Sequence, residues 1–591
     1  MAILPHEARE VSCDTVVAVA CDLAPGLACQ RYGINYLHAV GGRGCVPVGV
    51  VCRGDLQRYA ACFGEGAVLE EVKEVVILPG CCCRSLCVGK AHGSGCRRGR
   101  GNDRRLAGGP QQLRTRYGQG PGILAGERRV DGCLHGDFGD GAFECQGYGC
   151  RAALGDGLAH SGRHYEAAAA LGFGRNLGEC PVIVGGGFIG IEVAENLCKL
   201  GMDVILVEAA EQLMSPFDSD MAAFIHAEIR KNGIQLMLSS MVEGFTENDG
   251  GIDVKLKNSP ALHADIVIMA IGVVPETTLA ETVGIELGIK GSIVVNDRME
   301  TSVPDIYAVG DAVQIKNYIT QTDTLISLAG PANKQGRIAA DNVCGGDSHY
   351  TGSQGSSVIK IFDMTAAATG INEKTAKASG LITDKVILSP MSHAGYYPGG
   401  KMMTMKVLFE KETYRLLGAQ IVGYEGVDKR IDVLATAVRA GIKSYDLAEI
   451  DLAYAPPYSS AKDPVNMAGF MIENIRNGIV KQWYYEDVNV LPRDGSVTLL
   501  DVRTPMEYSR GYVDGFINIP VDDLRERIGE LDKTKPVYVI CQSGLRSYLV
   551  CRILAGNGFD VYNFAGGFRF YDAVHNDKAL NKKSTPCGMD N

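Results

Sequence analysis

The chain has 591 residues, which against typical domains of roughly 100 to 200 residues calls for several domains rather than one. With 46% hydrophobic and 21% charged residues its composition is that of ordinary globular proteins, which excludes wholesale disorder, a collagen-like repeat and a small disulfide scaffold. A net charge of −11 supplies no broad basic face for a phosphate backbone, so no nucleic-acid partner is expected. No run reaches the roughly 18 uninterrupted apolar residues of a membrane span.

These averages conceal a break near Cys180. The first 180 residues hold 15 of the 20 cysteines, 33 of the 74 glycines, and 18 Arg against 2 Lys; net charge is +2 before the break and −13 after it. Residues 81–109, with Cys81-Cys82-Cys83 and Arg97-Arg98-Gly99-Arg100, sustain neither a period of 3.6 nor one of 2. Gly, Arg and Cys rising while Lys falls is the signature of a GC-rich coding sequence read out of frame, so residues 1–180 are expected to be anomalous and of doubtful fold. An export signal is not expected, because the apolar stretch Thr15 to Cys29 is broken by Asp22 and preceded by Glu7 and Glu10 rather than by basic residues. The cytoplasm is therefore the expected compartment. Adjacent cysteines without C-x2-C spacing or a second matching pair predict no metal site.

From residue 181 the pattern becomes legible. Pro181-Val182-Ile183-Val184 reads as a buried strand leading into Gly185-Gly186-Gly187-Phe188-Ile189-Gly190, after which Glu192 to Leu200 has helical spacing of apolar residues. In such a turn Gly185 permits the tight bend, Gly187 lets the backbone approach a pyrophosphate, and Gly190 lets helix and strand pack closely. A second strand, Asp203 to Val207, ends in Glu208, 18 residues beyond Gly190, where a carboxylate accepts hydrogen bonds from adenosine ribose hydroxyls. Because Ala209 and Ala210 follow instead of arginines, NADH is predicted over NADPH. The bland alternative is a glycine-rich turn that binds nothing.

Further on come the turn Ala270-Ile271-Gly272-Val273-Val274-Pro275 and the segment Thr301-Ser302-Val303-Pro304-Asp305-Ile306-Tyr307-Ala308-Val309-Gly310-Asp311-Ala312. In this order the motifs resemble the two-dinucleotide flavoprotein disulfide reductases. The resemblance implies that Asp311, with Pro304 and Gly310 in its motif, contacts the FAD ribityl chain. It also implies that Leu328-Ala329-Gly330-Pro331-Ala332-Asn333 begins a helix whose positive end faces the isoalloxazine. A helix N-terminus suits an anionic reduced flavin. Phe188 and Glu192 match positions that cover the flavin and face the nicotinamide.

Residues 355–475 resemble the dimerisation domain of the coenzyme A-disulfide reductase and NADH oxidase branch, through His393 to Gly400 and Ala453-Tyr454-Ala455-Pro456-Pro457-Tyr458-Ser459-Ser460. The resemblance implies a homodimer in which Tyr396 and Tyr454 reach the other subunit's thiol site, and Lys462 lies near an anionic group of coenzyme A. A phenol there steadies a developing thiolate. The competing reading is an amphipathic Tyr-Pro loop packed at an interface.

After Trp483 an acidic, turn-rich linker precedes the strand Val497-Thr498-Leu499-Leu500-Asp501-Val502-Arg503. A second strand, Val537-Tyr538-Val539-Ile540, delivers Cys541-Gln542-Ser543-Gly544-Leu545-Arg546-Ser547 into a helix beginning near Ser547. Backbone N–H groups at a helix N-terminus favour a thiolate and cradle a persulfide, and Arg546 is expected to add positive charge beside them. With Asp501 to Tyr508 and Gly515 to Pro520, the C-x4-R loop resembles a rhodanese domain over 485–575, which implies sulfane sulfur transfer at Cys541. Tyr512 stands where that family often has His. An inert buried thiol is the alternative.

The expected fold is thus α/β. It has a Rossmann-like NAD-binding domain at 181–265, the C-terminal part of an FAD-binding domain at 266–350, an α+β dimerisation domain at 355–475 and an α/β rhodanese domain at 485–575. Members of the reductase family open with their own strand and G-x-G-x-x-G for FAD, then S-F-x-x-C-G-L-P-Y with the redox cysteine; neither is expected in 1–180, and Cys45, in Gly44-Cys45-Val46-Pro47, has no partner at Val40. FAD is therefore predicted to bind weakly or not at all. The lineage implied is a flavin- and NADH-dependent reductase of coenzyme A disulfide, persulfide or polysulfide. An NADH oxidase or peroxidase, and a non-reducing persulfide carrier that binds NAD, remain open.

Overall fold

The computed structural model describes residues 180–581 except 249, together with the strands Val16–Ala20, Gly49–Val50 and Val76–Leu78. The other residues of 1–180, including Cys45 and the cysteine run at 81–83, lie outside the described residues.

The run Pro181–Val184 is buried throughout and forms the second strand of a parallel sheet ordered Ile266–Met269, Pro181–Val184, Ile205–Val207, Gln235–Met237. All four strands end at one edge, where the connecting loops gather, as in any doubly wound sheet. The strand Ile266–Met269 carries this unit past the expected boundary at 265.

A second sheet joins Ile306–Val309 to Val16–Ala20 in parallel, with Val16 opposite Ile306 and Val19 opposite Val309; Val76–Leu78 and Gly49–Val50 follow. This corrects one expectation: a strand N-terminal to the break does exist in this sheet. Its physical cause is the β-branched run Val16-Val17-Ala18-Val19, which covers an edge that Ile306–Val309 would otherwise leave unpaired. The residues after it, Cys21-Asp22-Leu23-Ala24-Pro25-Gly26, still hold no glycine fingerprint.

Residues 357–423 form a five-stranded antiparallel sheet ordered Ser357–Ile361, Met364–Gly370, Leu416–Gly423, Thr404–Glu410, Thr383–Leu388, with Val427–Ala440 packed on it. All eight residues of Leu416–Gly423 are buried.

The C-terminal sheet is wholly parallel, ordered Lys481–Trp483, Val561–Phe564, Val537–Ile540, Thr498–Asp501, Ile517–Asn518. Trp483 is therefore part of this unit's core, not a marker of the linker before it. Its ring lies 4.4 Å from that of Phe564, and its Nε1–H donates to Val539 O at 3.3 Å.

Buried charge joins the units. Lys406, on Thr404–Glu410, is almost wholly buried and its ammonium sits among Asp218, Asp220 and Glu373, 2.8 Å from Asp220 Oδ2 and 3.0 Å from Asp218 Oδ2. Burial opposes each charge, but the acids hold Lys406 above its ordinary range and Lys406 holds Asp220 below its own. These three carboxylates converge as metal ligands would, and an ammonium already fills the space between them. A second tie is His226, whose Nε2 accepts from Leu213 N–H (3.0 Å), so the ring proton sits on Nδ1 and donates to Asp577 Oδ2 (2.9 Å) of the C-terminal helix Gly567–Asn581. Arg230 adds a 2.6 Å pair to Asp577 Oδ1.

Candidate functional site

The nucleotide turn sits between Pro181–Val184 and the helix Phe188–Lys199. Gly185 has φ of +113°, and a Cβ there would lie 2.2 Å from Ala270 O; at Gly190 a Cβ would lie 1.9 Å from Gly185 O. Strand, turn and helix close up only without side chains at these points. Gly187, one residue before the helix, has no heavy atom within 4 Å of its Cβ position. That opening lies at the N-terminus of the helix, ahead of Phe188 and Ile189 in its first turn and Glu192 in its second, and would admit a pyrophosphate. Glu208 closes the far side: its Oε2 accepts from Gly186 N–H (2.6 Å) and its Oε1 from Ala210 N–H (2.7 Å). Each oxygen keeps a further lone pair for a ribose hydroxyl. Gly272, with φ of +106°, lies just past Ile266–Met269 in the loop whose Ala270 N–H donates to Val184 O (2.7 Å). These residues fit a dinucleotide.

At the end of Ile306–Val309, Gly310 N–H donates to Gln335 Oε1 (2.6 Å) of the helix Ala329–Val343, so Asp311 is held beside that helix. Ala329 and Pro331 form its first turn, and no acidic residue there opposes an anion. Pro304 is exposed at the loop before the strand. This half fits a flavin. The residues that follow Val16–Ala20 lie outside the described residues, and their sequence carries no G-x-G-x-x-G.

Tyr396 and Tyr454 are brought together, with hydroxyls 2.6 Å apart on an exposed edge. The Tyr396 hydroxyl holds the Tyr454 phenol above its ordinary range. Tyr454 lines a cleft of about 500 Å³ with His393, Lys429, Arg430 and Tyr458. Arg430 is buried, bonded to Ser392 O (2.8 Å) and Asp463 Oδ2 (3.0 Å), and fixes the loop that carries Tyr396 to the start of the helix Pro464–Arg476. Lys429 brings a second cation to the cleft, its ammonium 3.5 Å from Ala453 O and 3.9 Å from Asp463 Oδ2; Lys462 is exposed and outside the cleft lining. Neither Lys429 nor Arg430 is marked by a motif in the sequence.

In the C-terminal unit Cys541 ends Val537–Ile540 and has 0% exposure. Its Sγ accepts from Gly544 N–H at 3.2 Å and lies 3.2 Å from Ser547 Oγ. Ser547 Oγ is also 3.1 Å from Gly544 O, and with one proton it serves one acceptor at a time. The loop rests on the C-terminal helix: Phe568 N–H donates to Cys541 O (2.7 Å) and Arg569 N–H to Gln542 O (3.1 Å).

Arg546 lies within electrostatic reach of Cys541, as expected, but it is not free. Its guanidinium pairs in a fork with Glu507, at 2.8 and 2.6 Å, so it adds no uncompensated charge beside the loop. Glu507 also closes a capping box with Thr504. Arg546 foremost holds the Glu507 carboxyl down, to about 2. The pattern Thr504-Pro505-Met506-Glu507 is a capping box legible in sequence; its second duty, 39 residues away, is not. Arg503 is likewise committed, to buried Asp501 at 2.7 Å.

A family model described as pyridine nucleotide-disulphide oxidoreductase matches residues 145–336, its dimerisation domain matches 356–464, and a rhodanese-like domain matches 485–573. The first match begins upstream of 181, within the segment of anomalous composition. The crystal structure of reduced Bacillus anthracis CoADR-RHD is 44% identical, over 68% of this chain and 71% of its own, with a TM-score of 0.65. An NAD-dependent persulfide reductase from A. fulgidus is 36% identical, over 70% of this chain and 75% of its own, with a TM-score of 0.64. The NADH oxidase of Methanocaldococcus jannaschii is 36% identical over 290 residues, 48% of this chain and 63% of that protein. The chain spans 63 to 65% of the length of such curated relatives, coenzyme A disulfide reductases of Staphylococcus aureus among them. On the strength of a relative 44% identical that it covers over 71% of its length, the chain belongs to the pyridine nucleotide-disulphide oxidoreductase family and carries a rhodanese-like domain at its C-terminal side.

Proposed function

We propose that the protein draws electrons from NADH and delivers them to sulfur, as a coenzyme A-disulfide or persulfide reductase whose Cys541 carries sulfane sulfur. The observation that carries this reading is the convergence of Gly544 N–H and the Ser547 hydroxyl on the Cys541 sulfur, in the same chain as a Glu208-closed nucleotide turn. A buried thiol that served only as core would need no such donors.

When bound, NADH supplies a hydride and FAD relays its electrons toward a sulfur–sulfur bond. The chain's own residues bind and orient. Gly187 leaves room for a pyrophosphate, Glu208 would accept from the adenosine ribose, and Phe188 and Glu192 would hold the nicotinamide end. Glu208 with Ala209 and Ala210 would meet a 2′-phosphate with negative charge and no cation, which favours NADH. Tyr396 and Tyr454 share one hydrogen bond, so either phenol can donate to a departing thiolate while the other holds it in place. In a homodimer, which the dimerisation domain supports, that pair serves the opposite subunit.

Because the sequence after Val16–Ala20 carries no glycine fingerprint, flavin binding is expected to be weak, and NADH-driven reduction of coenzyme A disulfide is expected only with FAD added in excess. The test is NADH oxidation with coenzyme A disulfide or a persulfide, with and without added FAD; no rate under either condition refutes the reading. The relationship to an NADH oxidase supports a second reading, with oxygen as acceptor. Oxygen uptake equal to NADH consumed, unaffected by added disulfide, would favour it.

A further inference from the structure

The proposed role of Cys541 leaves open what donates its sulfur, and the surroundings of the loop bear on that choice. Both arginines beside it are already neutralised. Arg546 is forked onto Glu507 through two bonds, at 2.8 and 2.6 Å. Arg503 is buried, bonded to Asp501 at 3.1, 3.0 and 2.7 Å and to Gly511 O at 2.7 Å, with its face 3.7 Å from the Phe568 ring. Arg569 turns its guanidinium away, to Thr404 Oγ1 at 2.8 Å. Arg510 lies outermost, exposed, against Met506 Sδ. Solvent and salt screen a charge in that position.

Leu545, next to Arg546, is an exposed apolar side chain of the loop, and Met506 and Tyr512 lie on the segment that carries Glu507. Leu545 is 57% exposed, Met506 65% and Tyr512 55%, while the sulfur beneath has no exposed surface. A donor must therefore shed water to bring its outer sulfur to Cys541. For thiosulfate, the sulfonate directly bonded to that sulfur would be stripped of solvent where Arg546 and Arg503 are already paired with carboxylates, which is costly for a dianion. An organic persulfide brings a carbon chain instead, and the exposed Leu545 side chain offers that chain apolar contact.

We infer that Glu507 is a specificity-determining residue: by cancelling the charge of Arg546 it selects organic persulfides, R–S–SH, over thiosulfate as sulfur donors to Cys541. The inference rests on the reading of Cys541 as a sulfur carrier. In the step selected, the Cys541 thiolate attacks the outer sulfur of R–S–SH, and the bond between the donor's two sulfurs breaks. The thiol R–SH leaves with the bonding electron pair and the donor's proton, and Cys541 is left as the anionic persulfide. With thiosulfate the same attack would expel sulfite, a dianion, beside two arginines, Arg546 and Arg503, that are already paired with carboxylates.

The experiment measures the rate at which Cys541 of the full-length protein gains a sulfur atom, by mass spectrometry, from glutathione persulfide and from thiosulfate. The native protein is expected to load at least about tenfold faster from the persulfide. Glu507→Gln keeps a carbonyl oxygen for the Thr504 cap but frees the Arg546 charge. It is expected to raise thiosulfate loading about tenfold, leave persulfide loading within about twofold, and make thiosulfate loading fall with added salt. Equal loading of the native protein from both donors overturns the inference and leaves the carrier reading intact, whereas loading from neither donor overturns both. A Glu507→Gln protein with the native ratio also overturns it. Should that variant not fold, the salt series on the native protein decides: thiosulfate loading that drops steeply with salt reveals a free cation at the loop and overturns the inference, and a flat series supports it.

Discussion

Both oxygens of Glu208 are engaged by backbone N–H groups, so the carboxylate shapes the turn before any nucleotide arrives. Replacing it leaves two donors without their acceptor and removes the ribose contact. Glu208→Ala is expected to weaken NADH binding by about tenfold or more and to narrow the gap to NADPH, by titration with each nucleotide. An unchanged NADH:NADPH ratio would contradict the argument. At the tyrosine pair, Tyr454→Phe removes a phenol that its neighbour holds above the ordinary range, hence in its donating form at neutral pH. Disulfide reduction is expected to fall about 10²-fold in kcat with KM little changed; a change confined to KM would mark the pair as packing. Glu507, by contrast, is ionised at every working pH. Its folded value is depressed to about 2, so its contribution to stability is complete above the ordinary carboxylate range and is lost as pH falls through that value.

The helix Gly567–Asn581 connects two kinds of chemistry through ordinary hydrogen bonds. Its first turn holds the backbone of Cys541 and Gln542, and Asp577, some 14 Å further along at 1.5 Å per residue, is clamped by His226 and Arg230 of the nucleotide domain. Burial works against the Asp577 charge, but His226 and Arg230 outweigh it and hold the carboxyl below its ordinary range. The sign follows: the clamp stabilises fully above about pH 4 and weakens as acid protonates Asp577. His226→Leu breaks both ring bonds and is expected to lower the unfolding midpoint of the C-terminal domain, a loss of about 1–3 kcal/mol. His226→Gln can accept from Leu213 and donate to Asp577, and should recover most of it. Equal midpoints for the two variants would contradict the clamp. The elements themselves were largely legible: Pro181–Val184, Val537–Ile540 and Thr498–Asp501 stand where the β-branched runs predict. Lys481–Trp483 was missed because three residues set no alternation, and its strand character comes from pairing with Val561–Phe564.

Across the whole molecule, the sequence reveals what local spacing encodes and hides what the fold brings together. The glycine turn, Glu208 and Cys541 were readable because each lies within a strand, loop and helix of contiguous chain. The Glu507–Arg546 fork, the Lys406 cluster and the His226–Asp577 clamp join residues 39, 186 and 351 positions apart, and no periodicity announces them. The N-terminal strand Val16–Ala20 was hidden by the foreign composition around it, although its pairing with Ile306–Val309 completes a sheet edge. The account joins an NADH site to a sulfur-carrying thiol in one chain, and the mass of the Cys541 peptide tests that most directly, read after glutathione persulfide and again after NADH and excess FAD. The predicted result is one added sulfur atom on Cys541, absent from Cys541→Ser, that disappears once NADH and FAD are supplied. A Cys541 that never gains sulfur, or a persulfide that persists in the presence of NADH and FAD, would contradict it.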